Sequence, residues 1–228
     1  MCWNAPVSFL TFLSSVIMAL FLWHRNNNNN NDRALSIFIC WFALMQLFEF
    51  FMWKNMQDHS LISKLSCVSI QLQPFILVAS LYYFSKKHNN NKNNYTKTEK
   101  LVLGVIASAS LVKALVATHY AFITQAANKW LSIKGPHCHL MWWFSRNFSK
   151  MPWLARADPL WVMLLLLGLI MIKPFKQGLL YFIFAFISAV ASRLFYPREE
   201  GSLWCWLANF MGVIAIAMPH AMPYLKIF

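Results

Sequence analysis

Acidic side chains are scarce in this chain: 7 Asp and Glu stand against 20 Lys and Arg, a formal net charge of +13. No nucleic-acid-binding motif accompanies that charge. The basic residues are therefore expected to meet anionic lipid headgroups, not RNA or DNA. Glycine is also rare, with 6 residues. No glycine-rich phosphate loop can be assembled, and no Ser-His-Asp set is recognisable. The ten-residue alternation of a membrane β-barrel is missing, which leaves helices as the means of satisfying backbone groups in lipid. The N-terminal apolar stretch lacks a basic leader and a small-residue cleavage pattern, so it reads as a retained helix and not a signal peptide. What dominates instead is apolar surface: 59% of residues are hydrophobic and the mean hydropathy is +0.46. A soluble helical protein would need amphipathic helices, yet the run Pro159–Ile172 is apolar on every side.

The fold class expected is all-α: a polytopic integral membrane protein with seven transmembrane helices in one bundle. A bilayer core takes roughly 20 helical residues, which places spans at about 5–23, 34–53, 67–85, 101–121, 159–175, 177–196 and 202–223. Spans five and six are separated only by the basic hairpin Lys173-Pro174-Phe175-Lys176-Gln177-Gly178, where Pro174 and Gly178 are breakers.

Seven spans create two faces. Face I carries the N-terminus and loops 2–3, 4–5 and 6–7; face II carries the remaining loops and the C-terminus. Basic residues divide almost evenly between them. Arg25 and Arg33 follow span one, whereas Met1–Asn4 has no basic side chain, and the densest cluster, Lys86 to Lys100, is on face II. This favours an extracytosolic N-terminus and a cytosolic C-terminus. Two asparagine-rich segments, 26–31 and 89–94, read as solvated loop insertions. Such runs fit an AT-rich genome, as of a protist or a large virus of protists.

Four of the five cysteines, Cys2, Cys67, Cys138 and Cys205, fall at face I. With that face outside the cytosol, two disulfides are expected, in one of three connectivities, with free or lipidated thiols as an alternative. A competing reading is a metal site on His137-Cys138-His139, with His59 and His119 also approaching this face, and zinc as the metal such ligands take. No other cofactor is expected. Loop 4–5, from about Phe122 to Asp158, is long and mixes Trp130, Trp142, Trp143, Phe144, Phe148 and Trp153 with Lys129, Lys134, Arg146, Lys150 and Arg156. It reads as a re-entrant or interfacial segment, or as a plain aromatic belt. Asn147-Phe148-Ser149 is a glycosylation sequon, and Asn94-Tyr95-Thr96 is another on the opposite face.

Polar residues inside spans are costly and therefore informative. Gln46, Glu49, Gln73, Lys113, Asn209 and Arg193 all fall in the face I half, whereas His220 is the main polar residue of the other half. Gln46 and Glu49 share a helix face. Glu49 and Lys113 lie at similar depth, which predicts an ion pair between them. The six residues act either as interhelical glue or as the lining of a pocket lidded by loop 4–5.

The opening Met1-Cys2-Trp3-Asn4 resembles that of a family of multi-pass membrane proteins beginning Met-Cys-Trp. The resemblance continues through Gln46 to Glu49, Gln73-Pro74-Phe75, Cys138-His139-Leu140-Met141-Trp142, and Glu200 before Trp204-Cys205. It covers nearly the whole chain and implies a fold and a set of residues, not a reaction. Better-known seven-helix families fit poorly. Leu203–Met222 contains no lysine for a Schiff base, so retinal is not expected. Span three ends Tyr82-Tyr83-Phe84-Ser85-Lys86, without an Asp-Arg-Tyr-like triplet, and span seven has one histidine where ceramidase-like hydrolases need a pair. Three functional classes stay open: a non-enzymatic ligand-binding, sensory or scaffold module, which is the leading reading; a lipid-modifying enzyme, metal-dependent if His137 and His139 serve; and a small transporter or channel. Oligomeric state is not legible.

Overall fold

The computed structural model describes residues 4–25, 30–87, 95–156, 159–196 and 199–221. Cys2, Asn26 to Asn29, Asn89 to Asn94, Asp158, Arg198 and the side chain of His220 lie outside the described residues. Among the described residues the chain is all-α apart from one two-stranded hairpin. In order come α1 (Ala5–His24), α2 (Asn30–Lys54), α3 (Ser60–Lys87), α4 (Lys97–His119), a π-turn (Tyr120–Thr124), β1 (Ile133–Lys134), β2 (Leu140–Met141), α5 (Trp143–Arg146), two 3-10 turns (Phe148–Lys150, Trp153–Ala155), α6 (Pro159–Ile170), α7 (Phe175–Phe195), α8 (Glu200–Ala208) and α9 (Phe210–Ala221). Among the described residues six helical stretches are long and apolar enough to cross a membrane: α1, α2, α3, α4 with its π-turn, α7, and α8 with α9. The bundle is inside out in polarity. Leu10, Ile17, Leu101, Leu115, Leu194 and Phe195 are exposed, while Gln46, Glu49, Gln71, Gln73, Lys113 and Glu199 are buried.

Local chemistry explains the helix ends. The Asn4 side chain caps α1 by accepting from Val7 N at 3.1 Å. Thr96 and Glu99 close a reciprocal capping box on α4. The buried face of α1 is mostly small residues, Ala5, Ser8, Ser15 and Ala19, which lets α2 approach closely.

The fifth expected span is shorter than its sequence suggested. At 12 residues, α6 reaches only about 18 Å at 1.5 Å per residue. The 3-10 turn before it, Trp153–Ala155, is held by neighbouring helices. Lys113, in the last third of α4, donates to Leu154 O at 3.1 Å and Arg156 O at 3.2 Å, and Gln71 donates to Ala155 O at 3.3 Å. Non-helical backbone can sit deep in a bundle when protein groups satisfy its carbonyls. At the other end of α6 the turn is tight. A Cβ on Gly178 would stand 2.7 Å from the carbonyl oxygens of Ile170 and Ile172.

Three helix breaks are repaired in the same way. Pro74 brings no N–H to α3, which orphans the carbonyl of Ile70. Trp161 of α6 donates its indole N–H to that oxygen at 2.7 Å. Pro219 likewise leaves the Ala215 carbonyl without a helical donor, and Arg25 donates to it at 3.1 Å and to Ile216 O at 2.8 Å. Arg25 is itself held by a two-pronged bond to Asp32. Between α8 and α9, Asn209 turns its own amide back onto Cys205 O at 2.8 Å and accepts from Ser15 on α1.

Candidate functional site

Those repairs sort the six polar residues picked out from sequence. Lys113 and Asn209 serve the backbone. The expected Glu49–Lys113 ion pair does not form, because the Lys113 ammonium is turned toward the loop carbonyls. Arg193 forms an ion pair with Glu200 at the surface. Gln46, Glu49 and Gln73 remain. All three are buried. Both amide atoms of Gln46 and of Gln73, and Oε2 of Glu49, close no hydrogen bond of normal geometry.

Glu49 lies about one turn from the end of α2. Its Oε1 accepts from the indole N–H of Trp142 at 3.0 Å. The hydroxyls of Ser8 on α1 and Ser202 on α8 face the same carboxylate. Trp142 reaches it because loop 4–5 folds over the helix ends as a packed lid. Trp130, Leu140, Trp142 and Phe144 are buried, and Trp130 stacks on Trp143 with centroids 4.1 Å apart. Trp130, Trp142 and Phe144 are thus packed inside and form no belt facing lipid, whereas Trp153 is exposed. His59 pins the lid. Its Nδ1–H donates to Asn55 O at 2.8 Å and its Nε2 accepts from Ser132 N at 2.8 Å, which fixes the neutral tautomer. Lys64 donates to Gln125 O and Ala126 O where the π-turn ends. The Asn147 amide donates to Trp143 O at 3.0 Å.

The lid's hairpin pairs Ile133 with Met141 and Lys134 with Leu140. Its turn puts Cys138 in the left-handed region, at φ 66°. Glu199, fully buried, grips this turn. Oε1 accepts from His137 N at 3.0 Å and Oε2 from His139 N at 3.0 Å. Gly135 permits the approach, since a Cβ there would stand 2.3 Å from Glu199 Oε1. The rings of His137 and His139 both meet the edge of Tyr196, with centroids 5.2 Å away. Burial holds the His139 imidazole below its usual range, against the opposing pull of Glu199. The Glu199 carboxylate, the group beside the histidines that could have served a metal, is taken up by the turn. Among the described residues no group of three His, Cys, Asp or Glu side chains could hold a metal ion.

Cys67 and Cys205 are buried free thiols, which overturns the expectation of two disulfides among the four face I cysteines. Both lie in the packed interior of the bundle, at 0% and 1% exposure. Sequence reasoning also missed Glu199, Trp161 and Gln71. For Trp161 a signal existed, because Pro74 demands a foreign donor. Glu199 gave none, since its partners are 62 and 60 residues away.

Beside the polar cluster lies a cavity of about 940 Å³ between α3, α6, α7, α8 and the lid. Trp142, Phe144, Trp161, Phe182 and Trp204 form its walls. Met163, Leu167 and Phe186 also line it and are exposed, so the cavity is open along α6 and α7. Arg193 and Glu200 stand at one end. Glu200 Oε2 is buried there and closes no hydrogen bond. Comparison of the chain with protein-family models, with curated proteins and with solved structures gives no match.

Proposed function

We propose that the chain is a non-enzymatic multi-pass membrane protein that binds a lipid-like amphiphile in the lateral cavity. In this reading α6 is the fifth of seven membrane segments, completed by the non-helical turn before it. The N-terminal face is extracytosolic, in keeping with the basic cluster on the opposite side. The single observation that carries the reading is the opening along α6 and α7. A ligand dissolved in the bilayer can enter there without crossing water. The volume is in the range of small-molecule sites, about 300–1,000 Å³. Apolar walls take the chain of the amphiphile. Arg193 offers donors and Glu200 Oε2 an acceptor to its polar end.

A fatty acid bearing a photoactivatable group in its tail tests this in native membranes. Labelling is expected to concentrate on peptides of α6 and α7. It should fall several-fold in Ala189→Trp, where a large side chain fills the cavity, while labelling of exposed Leu101 on α4 is unchanged. Labelling spread evenly over all exposed apolar residues, indifferent to Ala189→Trp, would overturn the assignment.

A further inference from the structure

We propose that Glu49, Ser8, Ser202 and Gln46 form an intramembrane site for a sodium ion, which competes there with a proton. The site is separate from the lateral cavity, with the Trp142 ring standing between them. Three helices converge on one carboxylate. Ser8 comes from α1, Glu49 and Gln46 from α2, and Ser202 from α8, with both hydroxyls facing the Glu49 carboxyl group. Gln46 lies three residues before Glu49, on the same face of α2. The four side chains are buried, at 0% exposure for Ser8 and Gln46 and 1% for Glu49 and Ser202. Each carries an oxygen that closes no hydrogen bond of normal geometry, Ser8 Oγ, Gln46 Oε1, Glu49 Oε2 and Ser202 Oγ, although the two hydroxyls approach the Glu49 carboxyl group.

The chemistry of the set selects the occupant. A carboxylate buried in an apolar bundle must be neutralised by a proton or a cation. Among the described residues no side-chain cation performs this service. Lys113 is committed to Leu154 O and Arg156 O, and Arg193 to Glu200. The groups facing Glu49 from the packed elements are the Ser8 hydroxyl, the Ser202 hydroxyl, the Trp142 indole and the Cys205 thiol. None is a cation. One carboxylate balances one positive charge, which selects a monovalent ion over calcium or magnesium. Carboxylate, amide and hydroxyl oxygens are hard donors and suit a hard ion. Trp142 consumes Oε1 through its N–H and leaves Oε2 directed toward the hydroxyls.

Thermal unfolding in detergent, with NaCl exchanged for choline chloride at constant ionic strength, tests the proposal. Sodium is expected to raise the midpoint in the wild-type protein, and more at pH 8 than at pH 5.5, where protons compete. A ligand that binds the native state stabilises it in this way. The shift should vanish in Glu49→Gln and shrink in the double variant Ser8→Ala, Ser202→Ala. Carbodiimide modification of Glu49, read by peptide mass spectrometry, gives a second measure. Sodium should slow it by about tenfold in the wild type and not in the serine double variant, which keeps the reactive carboxyl. If sodium neither shifts the midpoint nor protects Glu49 at any pH, the carboxyl is simply protonated and the site does not exist. A shift that persists in Glu49→Gln places the sodium elsewhere and equally overturns the proposal.

Discussion

Trp142, in the lid, donates its indole N–H to Glu49, in the second helix, across 93 residues of sequence at 3.0 Å. Both partners are buried. The bond ties loop 4–5 to the middle of the bundle, and the indole that makes it also walls the lateral cavity. Gly201 makes room for the ring: a Cβ there would stand 2.6 Å from Cζ3 of Trp142.

Gly201→Ala should therefore displace the indole and break the bond to Glu49. Trp142→Phe removes the donor alone. Leaving one buried polar group unpaired costs about 1–3 kcal/mol, so both variants should lower the unfolding midpoint in detergent. Gly104→Ala is the control. Nothing lies within 4 Å of a Cβ at that position, and alanine is the better helix former by about 1 kcal/mol. A midpoint in Gly201→Ala as high as in Gly104→Ala would show that the ring relaxes without loss.

The Pro74–Trp161 arrangement predicts non-additivity. In the native chain Trp161→Phe strands the Ile70 carbonyl. In Pro74→Ala the new N–H takes that carbonyl, and the indole bond becomes redundant. A double-mutant cycle should give a coupling of about 0.5–3 kcal/mol, with Trp161→Phe less costly in the Pro74→Ala background. Equal costs in both backgrounds would remove the carbonyl-capping role.

Thiol counting separates the cysteines. Cys67 and Cys205 are buried free thiols, and burial and desolvation make such thiols inert. They should resist alkylation in the folded protein and react once it is denatured. Cys138, placed at the turn of the lid hairpin, is expected to pair with Cys2. Peptide mapping without reductant should find that single bridge, which would also set the N-terminal face outside the cytosol. Alkylation of Cys138 in the folded, unreduced protein would count against both statements.

Acid should loosen the lid hairpin. His139 is buried, and its folded-state value is lowered from 6.5 chiefly by that burial. The folded state therefore binds a proton less readily than the unfolded state. Stability is complete above pH 6.5 and is lost as pH falls below it, through the lowered folded value. Protease accessibility of the 133–141 hairpin should rise as pH is taken from 7 to 5 and should rise less in His139→Gln. A hairpin whose protection is flat across that range, or as acid-sensitive in the variant, would remove His139 from this role.

Much of the architecture was readable because it depends on local composition. Apolar runs of the right length give α1, α2, α4 and α7 within a few residues, whereas α3 begins at Ser60, seven residues before the expected start, and Thr96, Glu99 and Pro174 mark ends by chemistry that acts over one turn. The shortness of α6 was not readable. Pro159–Ile172 is apolar throughout, and hydropathy carries no information about a preceding segment whose carbonyls Gln71 and Lys113 satisfy from other helices. The lid aromatics misled for a related reason. Tryptophan suits both a lipid interface and a packed core, and only the stacking of Trp130 on Trp143 decides between them.

The sequence by itself determined that polar side chains would be concentrated in the interior of an apolar helical bundle, because each of them is too costly to turn toward lipid. It could not say which of them were spent on the backbone. That was decided by the tertiary structure. Lys113 and Asn209 found carbonyls to serve, Arg193 found Glu200, and Gln46 and Glu49 were each left with an oxygen that closes no hydrogen bond of normal geometry. The reason is geometric: a hydrogen bond tolerates only a few tenths of an ångström and a narrow angle, and those tolerances are set by how helices distant in sequence come to rest against one another.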